Sequence, residues 1–227
     1  MKFPNAQAGV KKLFISQILS IVFGVVLFIS SVLMLVGVAI GQAGKQAEEL
    51  AASLGGIGFV GLGLAGAAAI LSIVAYIINL VGLRQAGKDA DPFRVAFLLT
   101  IFQLIFTVVT SIFSALNLSN GIADNISKMI QNILDIAIVL QVITGVMNLA
   151  EELEDTSLDS LCRNIGGAIV LSYGLAAVAS LIPLLVGKAA ITSSLESGLG
   201  IAAALFDIFG SICYIIFLKK SIKVLAK

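Results

Sequence analysis

The chain contains no histidine and only two cysteines among its 227 residues. Histidine is the most frequent metal ligand and the most frequent acid–base group at neutral pH, so its absence argues against hydrolytic or metal-assisted chemistry. Cys162 and Cys213 lie far apart in the sequence, in a pattern typical of neither a disulfide framework nor a metal-ligand cluster. We therefore predict no cofactor, no metal site and no enzymatic activity.

Charged residues are also scarce. They make up 12% of the chain, whereas a soluble domain has about 25%. Hydrophobic residues account for 59%, which argues against a water-soluble fold of this size. The net charge is only +1, and no basic run is suited to a phosphate backbone, so nucleic acid is excluded as a partner. The lipid bilayer is the predicted environment.

Apolar runs long enough to span a membrane recur along the chain. A helix needs about 20 apolar residues to cross a bilayer core of about 30 Å. The predicted spans are 13–40, 54–83, 95–118, 129–149, 165–187 and 199–218. The first run is too long for a cleavable signal segment and is interpreted as a retained span. The sequence thus predicts an all-α bundle of six transmembrane helices, arranged as three hairpins in a single domain over 1–227.

The first two spans are longer than a bilayer requires, so we expect them either to tilt or to continue as helix beyond the hydrocarbon. Lysine and arginine favour the cytoplasmic side. With the N-terminus inside, the outer connectors carry only three basic residues, Lys45, Lys128 and Lys188. We therefore predict that both termini are cytoplasmic. The short connectors and the lack of an organellar targeting segment favour a bacterial cytoplasmic membrane.

An internal repeat is one interpretation of the spacing of several residues. Shifting the chain by 83 residues places Lys11 on Arg94, Phe14 on Phe97, and Phe23 on Phe106. A parallel repeat of three hairpins, related by an axis along the membrane normal, would explain this match. Chance alignment of apolar helices is the alternative.

Small residues recur at four-residue spacing within three spans, a pattern that lets helix backbones approach closely in a membrane. The rows are Ser16, Ser20 and Gly24; Gly61, Ala65 and Ala69; and Gly200 and Ala204. They predict helix packing within the bundle or between copies of the chain, which would form a homo-oligomer.

Asp207 and Asp135 are the only charged residues inside the predicted spans, where an unpaired charge is costly. Asp207 is either part of a proton or cation pathway, or a buried, protonated carboxyl group hydrogen-bonded to a neighbouring helix. Gln17 and Gln103 are among its candidate partners.

Asp135 shares one face of the fourth span with Gln131 and Asn132. A polar face in a spanning helix lines a water-filled path or holds an interhelical hydrogen-bond network. Two functions follow from these alternatives. The first is a non-enzymatic structural or interaction protein of the membrane, and the alternative is a small-solute or ion transporter or channel that uses an intramembrane carboxylate.

Overall fold

The computed structural model describes residues 2–43, 48–116, 121–154, 163–164, 166–167, 169–171, 174 and 193–226, without the side chains of 35–43, 48–59, 121–122, 124–125, 128 and 193–207. The described helices are α1 (Pro4–Ala43), α2 (Glu48–Ala86), α3 (Asp91–Ala115), α4 (Gly121–Glu152) and α5 (Ser193–Leu225). No residue of the described part lies in a strand, which confirms the all-α prediction for that part.

Four of the helices contain a stretch long and apolar enough to cross a membrane. These stretches are Pro4–Met34, Val60–Ala86, Asp91–Ala115 and Met129–Glu152, and each overlaps one of the first four predicted spans. Many of their large apolar side chains are exposed, including Phe28 at 71% and Phe102 at 54%. Apolar side chains that no other helix covers suit contact with lipid, so the chain has the helices of a multi-pass membrane protein.

The count of six helices and the hairpin repeat stay predictions. Most of the fifth predicted span, 165–187, lies outside the described residues. The sixth, 199–218, falls within α5.

Helices α1 and α2 extend beyond their apolar runs, which is one of the two outcomes expected for these long spans. Helix α1 begins at Pro4, nine residues before the predicted span, and α2 continues three residues past its span to Ala86. Proline suits the first turn of a helix because the backbone N–H that it lacks would have no partner there. The chain then turns tightly, with the Gly87 N–H donating to the Leu83 carbonyl oxygen at 2.9 Å.

The chain divides into two compact units, the first comprising Met1–Phe14 with Leu80–Lys227 and the second Ile15–Asn79. The core of the first unit contains buried apolar residues from all five of these helices. They include Val10 of α1, Leu83 of α2, Phe93 of α3, Leu149 of α4 and Phe217 of α5. The first residues of α1 and α3 therefore meet the last residues of α2, α4 and α5.

The second unit pairs the rest of α1 with the rest of α2 in antiparallel orientation. The Ser16 hydroxyl donates to the Ala75 carbonyl oxygen at 2.9 Å, and the Ser30 hydroxyl donates to the Gly61 carbonyl oxygen at 2.6 Å. Gly61, Ala68 and Ala75 are all buried and follow one another at intervals of seven residues. This interval is typical of two helices that pack along a left-handed seam.

The packed face therefore repeats every seven residues, and only part of each predicted four-residue row lies on it. Ser16 and Gly61 lie on the packed face, but Ser20, Gly24 and Ala69 are exposed. At 3.6 residues per turn, a four-residue step drifts by about 40° around the helix, whereas a seven-residue step drifts by about 20°. A long row at four-residue spacing consequently leaves the interface. The third row, Gly200 and Ala204, falls on side chains outside the described residues.

Candidate functional site

A polar contact between two side chains of spanning helices joins α3 to α4. The Gln103 side-chain amide donates from Nε2 to Oδ1 of Asp135 at 2.7 Å, and both side chains are half-buried. Gln103 lies twelve residues after the start of α3, which corresponds to about 18 Å along the axis. The contact therefore lies deep within the apolar part of the helix pair.

A second, weaker contact lies one helical turn away. The Gln131 amide and the Thr107 hydroxyl are 3.5 Å apart at an exposed position, which is the outer limit for a hydrogen bond. Thr107 follows Gln103 by four residues, and Gln131 precedes Asp135 by four, so each pair shares one helix face. We call these four residues the polar ladder.

The polar ladder has the same register as an apolar contact between α3 and α4. Phe93 is fully buried and packs against Gly145, where an added Cβ would lie only 2.7 Å from the phenyl ring. Gln103 follows Phe93 by ten residues, and Asp135 precedes Gly145 by ten. Glycine at position 145 lets the helices approach, and the polar ladder lies further along the same antiparallel interface.

The other predicted site residues are distributed over the chain. Asn132 is half-buried on α4, next to the polar ladder, and Gln17 is half-buried on α1 in the second unit. The backbone of Asp207 lies in α5, but its side chain is outside the described residues. The structure thus brings Gln103, Gln131 and Asp135 together, and it places Gln103 on Asp135, although the sequence had suggested it as a partner for Asp207.

The chemistry of the polar ladder is that of hydrogen bonding. A carboxyl oxygen accepts a hydrogen bond in both protonation states, so Gln103 can stay bound to Asp135 whether or not the acid is ionised. Within the described residues, no group of three His, Cys, Asp or Glu side chains could hold a metal ion. The amide, hydroxyl and carboxyl groups can therefore fasten two helices together or contact a polar solute.

Two glycines that bring α1 and α2 together in the first unit were not predicted. An added Cβ at Gly9 would lie 2.6 Å from the Gly82 carbonyl oxygen, and one at Gly82 would lie 2.9 Å from the Gly9 carbonyl oxygen. The sequence does contain a signal for this contact, because Gly82 continues the seven-residue series of Gly61, Ala68 and Ala75.

No protein-family model, curated protein or solved structure matches this chain.

Proposed function

We propose that the protein is a non-enzymatic structural or interaction component of a membrane, in which polar side chains within the spans fasten helices to one another. The observation that carries this proposal is the 2.7 Å hydrogen bond from Gln103 to Asp135. Hydrogen bonds between membrane helices contribute about 0.6 to 2 kcal/mol each. A carboxyl group that is satisfied in this way needs no solute to offset its burial.

The position of the bond supports the same proposal. It follows the register of the Phe93–Gly145 contact, so the polar ladder belongs to a packed helix interface. Serine hydroxyls also join α1 to α2, because Ser16 and Ser30 donate hydrogen bonds to backbone carbonyl oxygens of the facing helix. Interhelical hydrogen bonding is thus a common use of the polar side chains in the described spans.

A small-solute or ion transporter is the second candidate. It is favoured by the outer part of the polar ladder, where Thr107 is exposed and its contact with Gln131 is long. Such groups could line a water-filled path if it reached the pair of Gln103 and Asp135. The two candidates differ in one property, since a transporter must open this pair to water and a packing protein must keep it closed.

We also propose that both termini are cytoplasmic, in a bacterial cytoplasmic membrane. Two contacts in the first unit support this orientation. Asn5 donates a hydrogen bond to Asp89 at 2.9 Å, and Lys2 forms a salt bridge of 3.8 Å with Glu152. The start of α1, the α2–α3 turn and the end of α4 therefore lie at the same end of the first unit. Lysines and arginines predicted to be cytoplasmic lie at this end. Exposed small residues such as Gly24 would serve contacts between copies of the chain.

Reconstitution into liposomes tests the proposal. Proton, sodium and potassium flux is measured for the unaltered protein, for Asp135→Asn, and for Asp91→Asn as a matched control at an exposed carboxylate of the first turn of α3. Asparagine can still accept the bond from Gln103, so Asp135→Asn removes the ionisable group with little loss of packing. We expect no flux above protein-free liposomes from any folded variant. Flux that Asp135→Asn abolishes and Asp91→Asn retains would overturn the structural role in favour of transport.

A further inference from the structure

A cavity of about 320 Å³ lies at the turn between α2 and α3. Its lining consists of Arg84, Gly87, Lys88, Arg94 and Phe97. This volume is at the lower end of the range for small-molecule sites, about 300 to 1,000 Å³. It suits a compact polar group better than a whole amphipathic molecule.

The lining carries three positive charges and no negative one. Arg84, Lys88 and Arg94 are exposed, and none forms a salt bridge with a carboxylate of the described chain. The carboxylate nearest in sequence to Lys88 is Asp89, which accepts hydrogen bonds from Asn5 and from the Ala6 backbone N–H at 2.9 and 2.7 Å. The cavity therefore offers guanidinium and ammonium donors that suit a phosphate group.

The walls of the cavity change from charged to apolar along α3. Arg94 lies three residues into the candidate span that begins at Asp91, which places its backbone about 5 Å from the helix end. Phe97 lies one turn deeper and is half-buried, and beyond it Leu98 and Phe102 are exposed. A ligand with an anionic head and an apolar tail would match both parts of this surface.

We propose that the cavity binds the phosphate of an anionic membrane phospholipid, with the acyl chains lying along the exposed apolar face of α3. The three basic side chains hold the phosphate, and Phe97 contacts the first carbons of the chains. Gly87 lets the start of α3 lie close to the turn, because an added Cβ there would lie 3.1 Å from the Arg94 backbone nitrogen. Basic pockets at the cytoplasmic ends of spanning helices are suited to lipid headgroups.

Native mass spectrometry of the full chain tests this site. The protein is titrated with phosphatidylglycerol or with phosphatidylcholine, and the retained lipids are counted. We expect selective retention of phosphatidylglycerol, and Arg94→Gln should weaken it about fivefold, as should Arg84→Gln. Lys11→Gln is the matched control, because Lys11 is exposed on α1 and does not line the cavity. Equal losses for Lys11→Gln and Arg94→Gln, or equal retention of the two lipids, would overturn the proposal.

Two further measurements distinguish lipid binding from the binding of a free anion and from binding that does not depend on charge. Inorganic phosphate at millimolar concentration should displace little phosphatidylglycerol, and full displacement by phosphate alone would assign the cavity to a free anion and refute the lipid. Arg94→Lys keeps the charge and should restore most of the selectivity lost in Arg94→Gln. If Arg94→Lys were as weak as Arg94→Gln while both kept the thermal midpoint of the unaltered protein, charge would not be the basis of binding and the proposal would fail.

Discussion

Replacing Gly9 by alanine should destabilise the protein, whereas the same replacement at Gly24 on the same helix should not. A Cβ at Gly9 would lie 2.6 Å from the Gly82 carbonyl oxygen and 2.7 Å from the Ala86 backbone nitrogen. These are backbone atoms, which can retreat only if α1 and α2 separate. Overpacking of this kind costs about 1 to 3 kcal/mol. At Gly24 an added Cβ meets nothing within 4 Å, and alanine there gains about 1 kcal/mol of helix propensity.

The pair of variants isolates the steric cost, because both gain the same helix propensity. Gly9→Ala should therefore be less stable than Gly24→Ala by about 1 to 3 kcal/mol. For a chain of this length, that difference lowers the thermal midpoint by about 2 to 12 °C. Thermal unfolding in one detergent, followed by circular dichroism, measures it. Equal midpoints, or a higher midpoint for Gly9→Ala, would refute the close contact between Gly9 and Gly82.

Three further predictions concern hydrogen bonds. Ser30→Ala should cost about 1 kcal/mol, because it removes the bond to the facing helix, whereas Ser31→Ala should be nearly neutral, since its hydroxyl donates to the carbonyl oxygen of its own helix four residues back. A double-mutant cycle of Gln103→Ala and Asp135→Ala should give a coupling free energy of about 0.5 to 2 kcal/mol, and additive losses would contradict the bond. Asp89→Ala should lower the free energy of unfolding by about 1 kcal/mol in chemical denaturation, because the first turn of α1 loses its acceptor; an unchanged value would contradict that role.

The helical class and the first four spans could be predicted from the sequence because lipid constrains composition strongly. A spanning helix must hide its backbone and present apolar side chains, so runs such as 95–118 are visible without any structure. The ends of the helices could not be predicted in the same way. Helix α4 begins at Gly121 and ends at Glu152, beyond the apolar run 129–149 at both ends. The helix thus continues into segments of lower hydropathy, where the apolar pattern gives no signal for its ends.

The partner of each polar side chain was harder to predict, because it depends on the register of two helices. Gln103 had several carboxylates and amides within reach in principle, and the antiparallel contact of Phe93 with Gly145 selects Asp135. The seven-residue interval of the packed face between α1 and α2 was also not predicted from the sequence. A four-residue row is conspicuous in sequence, but the helix pair selects positions such as 68 and 75, seven residues apart, where both helices stay in contact.

Water access to position 103 distinguishes a packed helix interface from a water-filled path. Gln103→Cys is made in a chain whose own thiols are removed by Cys162→Ser and Cys213→Ala, and membrane-impermeant thiol reagents are applied from each face of reconstituted vesicles. Lys11→Cys is the positive control, since residue 11 is exposed near the start of α1. The thiolate is the nucleophile that attacks these reagents, and it forms only where water reaches the sulfur. A packed, closed interface predicts no labelling at 103 from either face while position 11 reacts. Labelling at 103 as fast as at 11 would contradict it and favour a water-filled path.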